Sequence, residues 1–249
     1  MTEPLLEVQD LRKAFGALRA SDGISFDVHA GETHALIGPN GAGKTTFIGQ
    51  LAGNLLPDSG RIRFAGEDIT DLPAPKRARK GLARSFQITS VYPEFSALQN
   101  VALAIQAHAG HSFRFWRDAR RDPALTGPAR KVLQDVGLAS REEVLAANLA
   151  HGEQRQLEVA MALATSPRLL LLDEPMAGMG IEESQRMIAL LASLKRRQTL
   201  ILVEHDMDAV FRLADRISVL VYGRVIATGA PDAVRANPEV RAAYLGEDA

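Results

Sequence analysis

The sequence predicts an α/β fold in which a parallel sheet, covered by helices on both faces, is joined to an antiparallel β flap and a helical insert. Three observations carry that reading. Residues 38–45 run Gly-Pro-Asn-Gly-Ala-Gly-Lys-Thr between a strand-like segment, 33–37, and a helix-like one, 45–52. From Arg168 onward, short apolar runs alternate with helical patterns, as in a parallel sheet with helical crossovers. Between these regions, residues 88–165 change to a helical period, with Leu98, Val101, Leu103 and Ile105 in one block and Val132, Leu133, Val136 and Leu138 in another.

Taken in order, residues 5–8, 24–28, 33–37 and 61–64 are β-type runs separated by turn signals at Ala30 and Gly31 and at Pro57, Asp58, Ser59 and Gly60. They predict an antiparallel flap beside the phosphate-binding segment. The insert follows. The last third then reads as strand 169–172, helix 181–197, strand 199–203, helix 208–214 and strand 217–221, with a closing hairpin to 225–228 that turns at Gly223 and Arg224. Glu182 and Glu183 fall in the first turn of helix 181–197 and Lys195, Arg196 and Arg197 in its last, which suits the helix macrodipole. The expected organisation is a single domain, 1–249, with a core of residues 1–87 and 166–249 and a helical subdomain of residues 88–165.

Composition narrows the function classes. The 249 residues are 46% hydrophobic and 24% charged, enough to bury one large core, and the apolar stretches are far shorter than the roughly 18 residues of a membrane helix. The N-terminus lacks the basic and apolar blocks of a signal peptide, which predicts a chain that stays in the cytoplasm. With no cysteine there are no disulfides or thiolate metal sites, and a net charge of −1 gives no general attraction to nucleic acid.

Residues 38–45 satisfy the phosphate-loop pattern G-x-x-x-x-G-K-[ST], which predicts ATP binding. Gly38, Gly41 and Gly43 let the backbone curl so that its amides point at the phosphates; Lys44 adds a point charge and Thr45 a hydroxyl for Mg²⁺. Pro39, Asn40, Ala42 and Thr46 complete the expected nucleotide contacts. Leu169 to Leu172 lead into Asp173 and Glu174, two carboxylates at the edge of the sheet where the loop also lies. Asp173 suits the metal, and Glu174 suits a general base acting on water. Gln87 offers an amide oxygen to Mg²⁺ or to the water. His205, after the strand at 199–203, can both donate and accept near the γ-phosphate. Phe15 can stack on adenine, although an aromatic near a sheet is more often a core residue.

In order and spacing these residues resemble the ATP-binding subunits of ABC transporters, over nearly the whole chain. Residues 38–45 look like that family's Walker A motif, Gln87 like its Q-loop, residues 169–174 like Walker B and His205 like its switch histidine. Leu149, Ala150, His151, Gly152, Glu153 and Gln154 occupy the place of its signature motif. The resemblance implies a head-to-tail pair in which Ala150, His151, Gly152 and Glu153 close over the ATP of a second ATP-binding subunit, identical or different. It also implies transmembrane permease subunits and, indirectly, a solute-binding protein, with the chain peripheral at the cytoplasmic face of the inner membrane. Residues 151–154, 177–180, 204–207, 237–240 and 243–246 are similar to the branch that imports branched-chain amino acids and polar solutes such as urea. Two positions depart from the family: Ala150 stands where a serine is usual, and Gly180 where an aspartate is usual.

The alternative is a soluble ABC-type ATPase acting on nucleic acid or protein complexes. A single ATPase unit, no long heptad arm and no basic excess count against it. A small-molecule kinase would leave residues 149–154 without a role. The aromatic and basic segment 108–121, with Phe113, Phe115 and Trp116 among arginines, reads either as a surface for headgroups or a permease, or as a helix with a solvated basic face. The run Lys76, Arg77, Arg79, Lys80 and Arg84 is open to the same two readings.

Overall fold

Two sheets and a helical layer meet at a shared apolar wall, as the computed structural model shows for residues 3–85, 91–109 and 122–245. The first sheet is antiparallel, in the order β2-β1-β4-β5, built from β1 (Leu6–Phe15), β2 (Leu18–Val28), β4 (Ser59–Phe64) and β5 (Glu67–Asp68). Its strands run past the short apolar stretches visible in the sequence because β1 and β2 pair through several register shifts, which keep residues of mixed polarity in the ladder. Asp10 takes a positive φ of 46° at one of them.

The second sheet has the order β10-β9-β3-β8-β7-β6. β3 (Thr33–Ile37), β6 (Leu82–Arg84), β7 (Leu169–Asp173), β8 (Thr199–Val203) and β9 (Arg216–Val221) are mutually parallel, and β10 (Arg224–Gly229) closes one edge antiparallel to β9. β3, β7 and β8 are buried at every position, as strands covered on both faces must be. Residues 33–37 therefore belong to the centre of the parallel sheet and not to the flap, although they follow flap strands in the chain.

Alternation along β7 and β8 divides the core. Leu170, Leu172, Leu200 and Leu202 face a cluster with Val101 of α3 (Ala97–Ala109), Leu133 of α4 (Pro123–Asp135), Leu157 of α5 (His151–Leu163) and Leu191 of α6 (Ile181–Leu194). Leu169, Leu171, Ile201 and Val203 face the opposite cluster, with Phe47, Ile48 and Leu51 of α1 (Lys44–Ala52) and the flap residues Leu6, Ile24 and Ile62. Each fully buried leucine or isoleucine contributes about 1.5–3 kcal/mol of transfer free energy. A third cluster packs α7 (Met207–Leu213), α8 (Pro231–Ala236) and α9 (Pro238–Leu245) on Ile37, Ile217 and Val219.

Three further readings are corrected. α6 stops at Leu194: Lys195 turns extended (ψ 141°) and Arg196 is left-handed (φ 64°), so the three basic residues form the turn into β8 and do not cap a helical last turn. Of the run 76–84, Lys76 and Arg79 are exposed, but Arg77, in α2 (Ala74–Arg79), is fully buried and Arg84 points inward onto Asp173, so these two take no part in any basic surface. The closing hairpin turns one residue earlier than expected, at Tyr222 and Gly223. Among the described residues, no helix is long and apolar enough to cross a membrane.

Candidate functional site

The phosphate loop leaves the end of the central strand β3 and enters α1 with its geometry fixed by close approaches that only glycine permits. A Cβ on Gly38 would lie 2.0 Å from the Leu220 carbonyl oxygen, and one on Gly43, at φ 103°, would lie 2.2 Å from that of Ala20. The Gly223 amide donates to the Ala42 carbonyl at 2.9 Å, so the β9–β10 turn braces the loop from outside. Lys44 is buried and folds back, donating to the carbonyls of Gly38 at 2.6 Å and Pro39 at 3.0 Å. Burial lowers its pKa, against the opposing pull of Glu174 and Asp173, which places the three charges in one field. The N-cap of α1 is Gly43, without a side-chain cap or an acid in the first turn, so the first amides of the helix are open to an anion. Asn40, Gly41 and Thr45 are exposed along this mouth, with Pro39 and Thr46 half-buried.

Strand register brings the second set of groups level with the loop. Leu36 of β3 pairs with Val203 of β8, and Val203 pairs with Asp173 of β7, so the three strands end side by side. Asp173 is buried and accepts from Arg84 Nη2 at 2.9 Å. Glu174 adopts φ 50°, a left-handed conformation unusual for a glutamate, with its amide on the Val203 carbonyl at 2.9 Å. Its Oε1 lies 2.6 Å from Nε2 of His205, whose ring is nearly half exposed. A carboxylate touching an imidazole at the phosphate edge of the sheet is the arrangement that can orient and deprotonate a water.

Residues 150–153 stand apart from their own phosphate loop. Ala150 is the N-cap of α5, and Glu153 reaches back to accept from the Ala150 amide at 3.0 Å and from Arg141 at 2.9 Å. Alanine carries no acceptor, so only the Glu153 half of a capping box forms. Glu183 of α6 joins the two helix starts by accepting from the amides of Gly152 and Gly180, each at 3.2 Å. His151 is exposed, with its Cε1 3.4 Å from where a Cβ on Gly178 would stand. Phe15 ends β1 half-exposed, its ring centre 5.8 Å from Lys13 Nζ. Gln87 lies outside the described residues, as do 110–121 and Gly246.

Two residues of the site were not singled out from the sequence. Arg84 was read as one charge in a basic run. Glu204 falls within the branch-like segment 204–207 with no role assigned to it, although a carboxylate directly after a fully apolar strand is a signal in itself. Among the described residues no three His, Cys, Asp or Glu side chains gather to hold a metal. A hydroxyl on Thr45 and a carboxylate on Asp173 are hard oxygen donors of the kind Mg²⁺ takes when phosphates and water supply its other ligands, so the residues present fit that ion.

The sequence matches a family model described as ABC transporter over residues 21–177. A second, described as branched-chain amino acid ATP-binding cassette transporter, matches residues 224–249. The chain is 39% identical over 256 residues to the high-affinity branched-chain amino acid transport ATP-binding protein BraF of Pseudomonas aeruginosa, covering 99% of this chain and 100% of that protein. It is 37% identical over 259 residues to the corresponding protein LivG of Escherichia coli, with the same coverage of 99% and 100%. Among solved structures, the ADP conformation of an ATP-binding cassette of an ABC transporter superposes with a TM-score of 0.86 at 29% identity, over 98% of this chain and 100% of that one. A nucleotide-free cassette gives 0.84 at 28% identity, over 97% and 99%.

Proposed function

The chain belongs to the ABC transporter family as an ATP-hydrolysing subunit, and from that premise we propose that it drives uptake of branched-chain amino acids or a related polar solute. The contact of Glu174 with His205 beside Lys44 carries the assignment of the hydrolytic site. The solute reading is supported by the names of BraF and LivG and by the C-terminal family match.

In this reading ATP lies along residues 38–46, with its triphosphate facing the loop amides, the start of α1 and Lys44, and its adenine on Phe15. Thr45, Asp173 and Gln87 would hold Mg²⁺, which when bound would neutralise charge on the transferred phosphoryl group. Glu174 accepts the proton of the attacking water, and His205 fixes the Glu174 carboxylate from the side of the γ-phosphate. In a head-to-tail pair with a second ATP-binding subunit, Ala150, His151, Gly152 and Glu153 close over the partner's nucleotide with the positive end of α5 behind them. The core, 1–87 and 166–249, and the helical subdomain, 88–165, close around it. Residues 91–95, with Tyr92 exposed and stacked on Phe95 at 5.4 Å, face a permease at the cytoplasmic side of the membrane, where a solute-binding protein delivers the cargo from outside.

Purification of the tagged chain from membranes in detergent tests this. Two permease chains and a solute-binding protein should copurify, and the ligand of the binding protein identifies the solute. Recovery of nucleic acid or a soluble complex instead would overturn the transport role. Lys44→Ala should abolish tight ATP binding, because the loop loses its side-chain cation, and unchanged affinity in a direct titration would contradict the assigned nucleotide site.

A further inference from the structure

At the phosphate edge of the sheet one buried carboxylate has no part in the reaction as described. Glu204 directly follows β8 and is 4% exposed. Its Oε1 accepts from the Met176 amide at 2.9 Å, and its Oε2 accepts from the His205 amide at 3.2 Å. The two donors lie on different loops. Met176 follows Glu174 by two residues, and His205 is the residue whose ring meets Glu174. Burial raises the Glu204 pKa and the charge of Glu174 adds to the rise, while the two amide bonds oppose it.

Burying a carboxylate is costly, and a carboxylate held by two amides suits a place where two backbone segments must keep a fixed separation. Such a need exists here. Glu174 is held at φ 50°, and a strained backbone of that kind persists only where its surroundings over-determine it. The Val203 carbonyl fixes the Glu174 amide on one side. Glu204 fixes the chain two residues further on, and at the same time fixes the amide of the residue that supplies the imidazole.

We infer that Glu204 is a positioning residue that clamps the loops after β7 and β8 together and so sets the 2.6 Å contact between Glu174 and His205. The inference rests on the reading of Glu174 as the general base. Glu204 touches neither nucleotide nor water in this scheme; it acts through the two residues it aligns. Glutamine at this position would keep one acceptor oxygen but turn an NH₂ group toward the second amide. Alanine would leave the Met176 amide buried without a partner.

The test uses the full-length wild-type chain and the variants Glu204→Ala, Glu204→Gln and Glu174→Gln, with steady-state ATP hydrolysis, ATP titration and the NMR signals of the His205 ring. Glu204→Ala should lower kcat roughly 10- to 100-fold, the effect of misplacing reacting groups by about an ångström, with KM for ATP and ATP affinity unchanged. Its His205 ring signals should shift, and Glu204→Gln should recover part of kcat. Wild-type kcat in Glu204→Ala, or a loss of kcat with unmoved His205 signals, would overturn the inference. If the alanine variant does not fold, Glu204→Gln decides alone: reduced kcat at unchanged KM with shifted ring signals supports the clamp, and wild-type kcat refutes it. Glu174→Gln separates the two claims. Wild-type turnover in that variant removes the base assignment and the clamp with it, whereas loss of turnover there beside a fully active Glu204→Ala removes the clamp only.

Discussion

Arg77 is a cation enclosed in the core whose head donates to backbone carbonyls. It donates to the backbone oxygens of Gln50, Leu51, Thr70 and Leu72 at 2.7–2.9 Å, two of which are last-turn carbonyls of α1; that of Gln50 also accepts from the Gly53 amide at 3.2 Å. Burial lowers its pKa to about 10, opposed by Asp71 and Asp68, so it stays charged at neutral pH. Arg77→Met should therefore cost at least about 3 kcal/mol, several buried carbonyls losing their donor at once, and should appear as a lower urea midpoint with an unchanged slope. Glu32 makes a different kind of contribution. Burial alone would raise its pKa, but the His34 ring 3.3 Å away, the His29 amide and Arg216 bring it down to about 2. Since the folded value lies below the ordinary 4.5, this stability is fully present above that pH and is lost as pH falls through about 2. Glu32→Gln should destabilise the protein at pH 7 by about 1–2 kcal/mol, discounted because Arg216 is partly solvated, and should flatten the acid limb of stability measured by urea unfolding from pH 5 to 2.5.

At the scale of an element, α5 starts at the N-cap Ala150, which has no side-chain acceptor to close its first turn. Ala150→Ser would supply the missing cap acceptor to α5 and a hydroxyl toward a partner's γ-phosphate. In a Glu174→Gln background with ATP and Mg²⁺, sedimentation should show self-association strengthened by about 0.5–1.5 kcal/mol, one neutral hydrogen bond. A stable wild-type dimer at low micromolar concentration, unchanged by the substitution, would show that His151 already serves and that no second kind of ATP-binding subunit is needed. Thermal unfolding of the monomer measures the local capping gain separately. Elements differed in how plainly the sequence announced them. β3 and β8 have the predicted bounds because a strand buried on both faces is a closed apolar run. β6 went unseen: it is three residues long and borders one strand only, so it has neither length nor alternation to mark it. The end of α6 was misjudged because Lys195, Arg196 and Arg197 satisfy the dipole rule on paper, while the chain has to reverse there to enter β8. Of the candidate site, spacing points to the loop and to Asp173, Glu174 and His205, whereas the contacts of Arg84 and Glu204 depend on side chains meeting across strands, which spacing does not encode.

For the whole molecule, the parallel sheet is a common wall: the helical layer packs on Leu170, Leu172, Leu200 and Leu202, and the flap and α1 pack on the residues between them. The helical layer thus packs directly on β7, which ends in Asp173, and on β8, which leads into Glu204. Tyr92→Ser and Phe95→Ser should lower solute transport in reconstituted vesicles while sparing basal ATP hydrolysis. Equal loss of both activities would mean that these side chains only hold the core together. The same sheet also orders events in time. His34 of β3 bonds to Ser218 of β9, 184 positions later, and the phosphate loop is walled by Leu220 and Gly223. At about 5–20 residues per second of synthesis, the central strand waits roughly ten to forty seconds on the ribosome for its neighbour. During that interval the glycine-rich segment lacks the side of its wall that Leu220 and Gly223 supply. Completion of the phosphate site is therefore a late event in the life of the nascent chain, and a chain that ends before the final hairpin would carry the motif intact with one side of its wall missing.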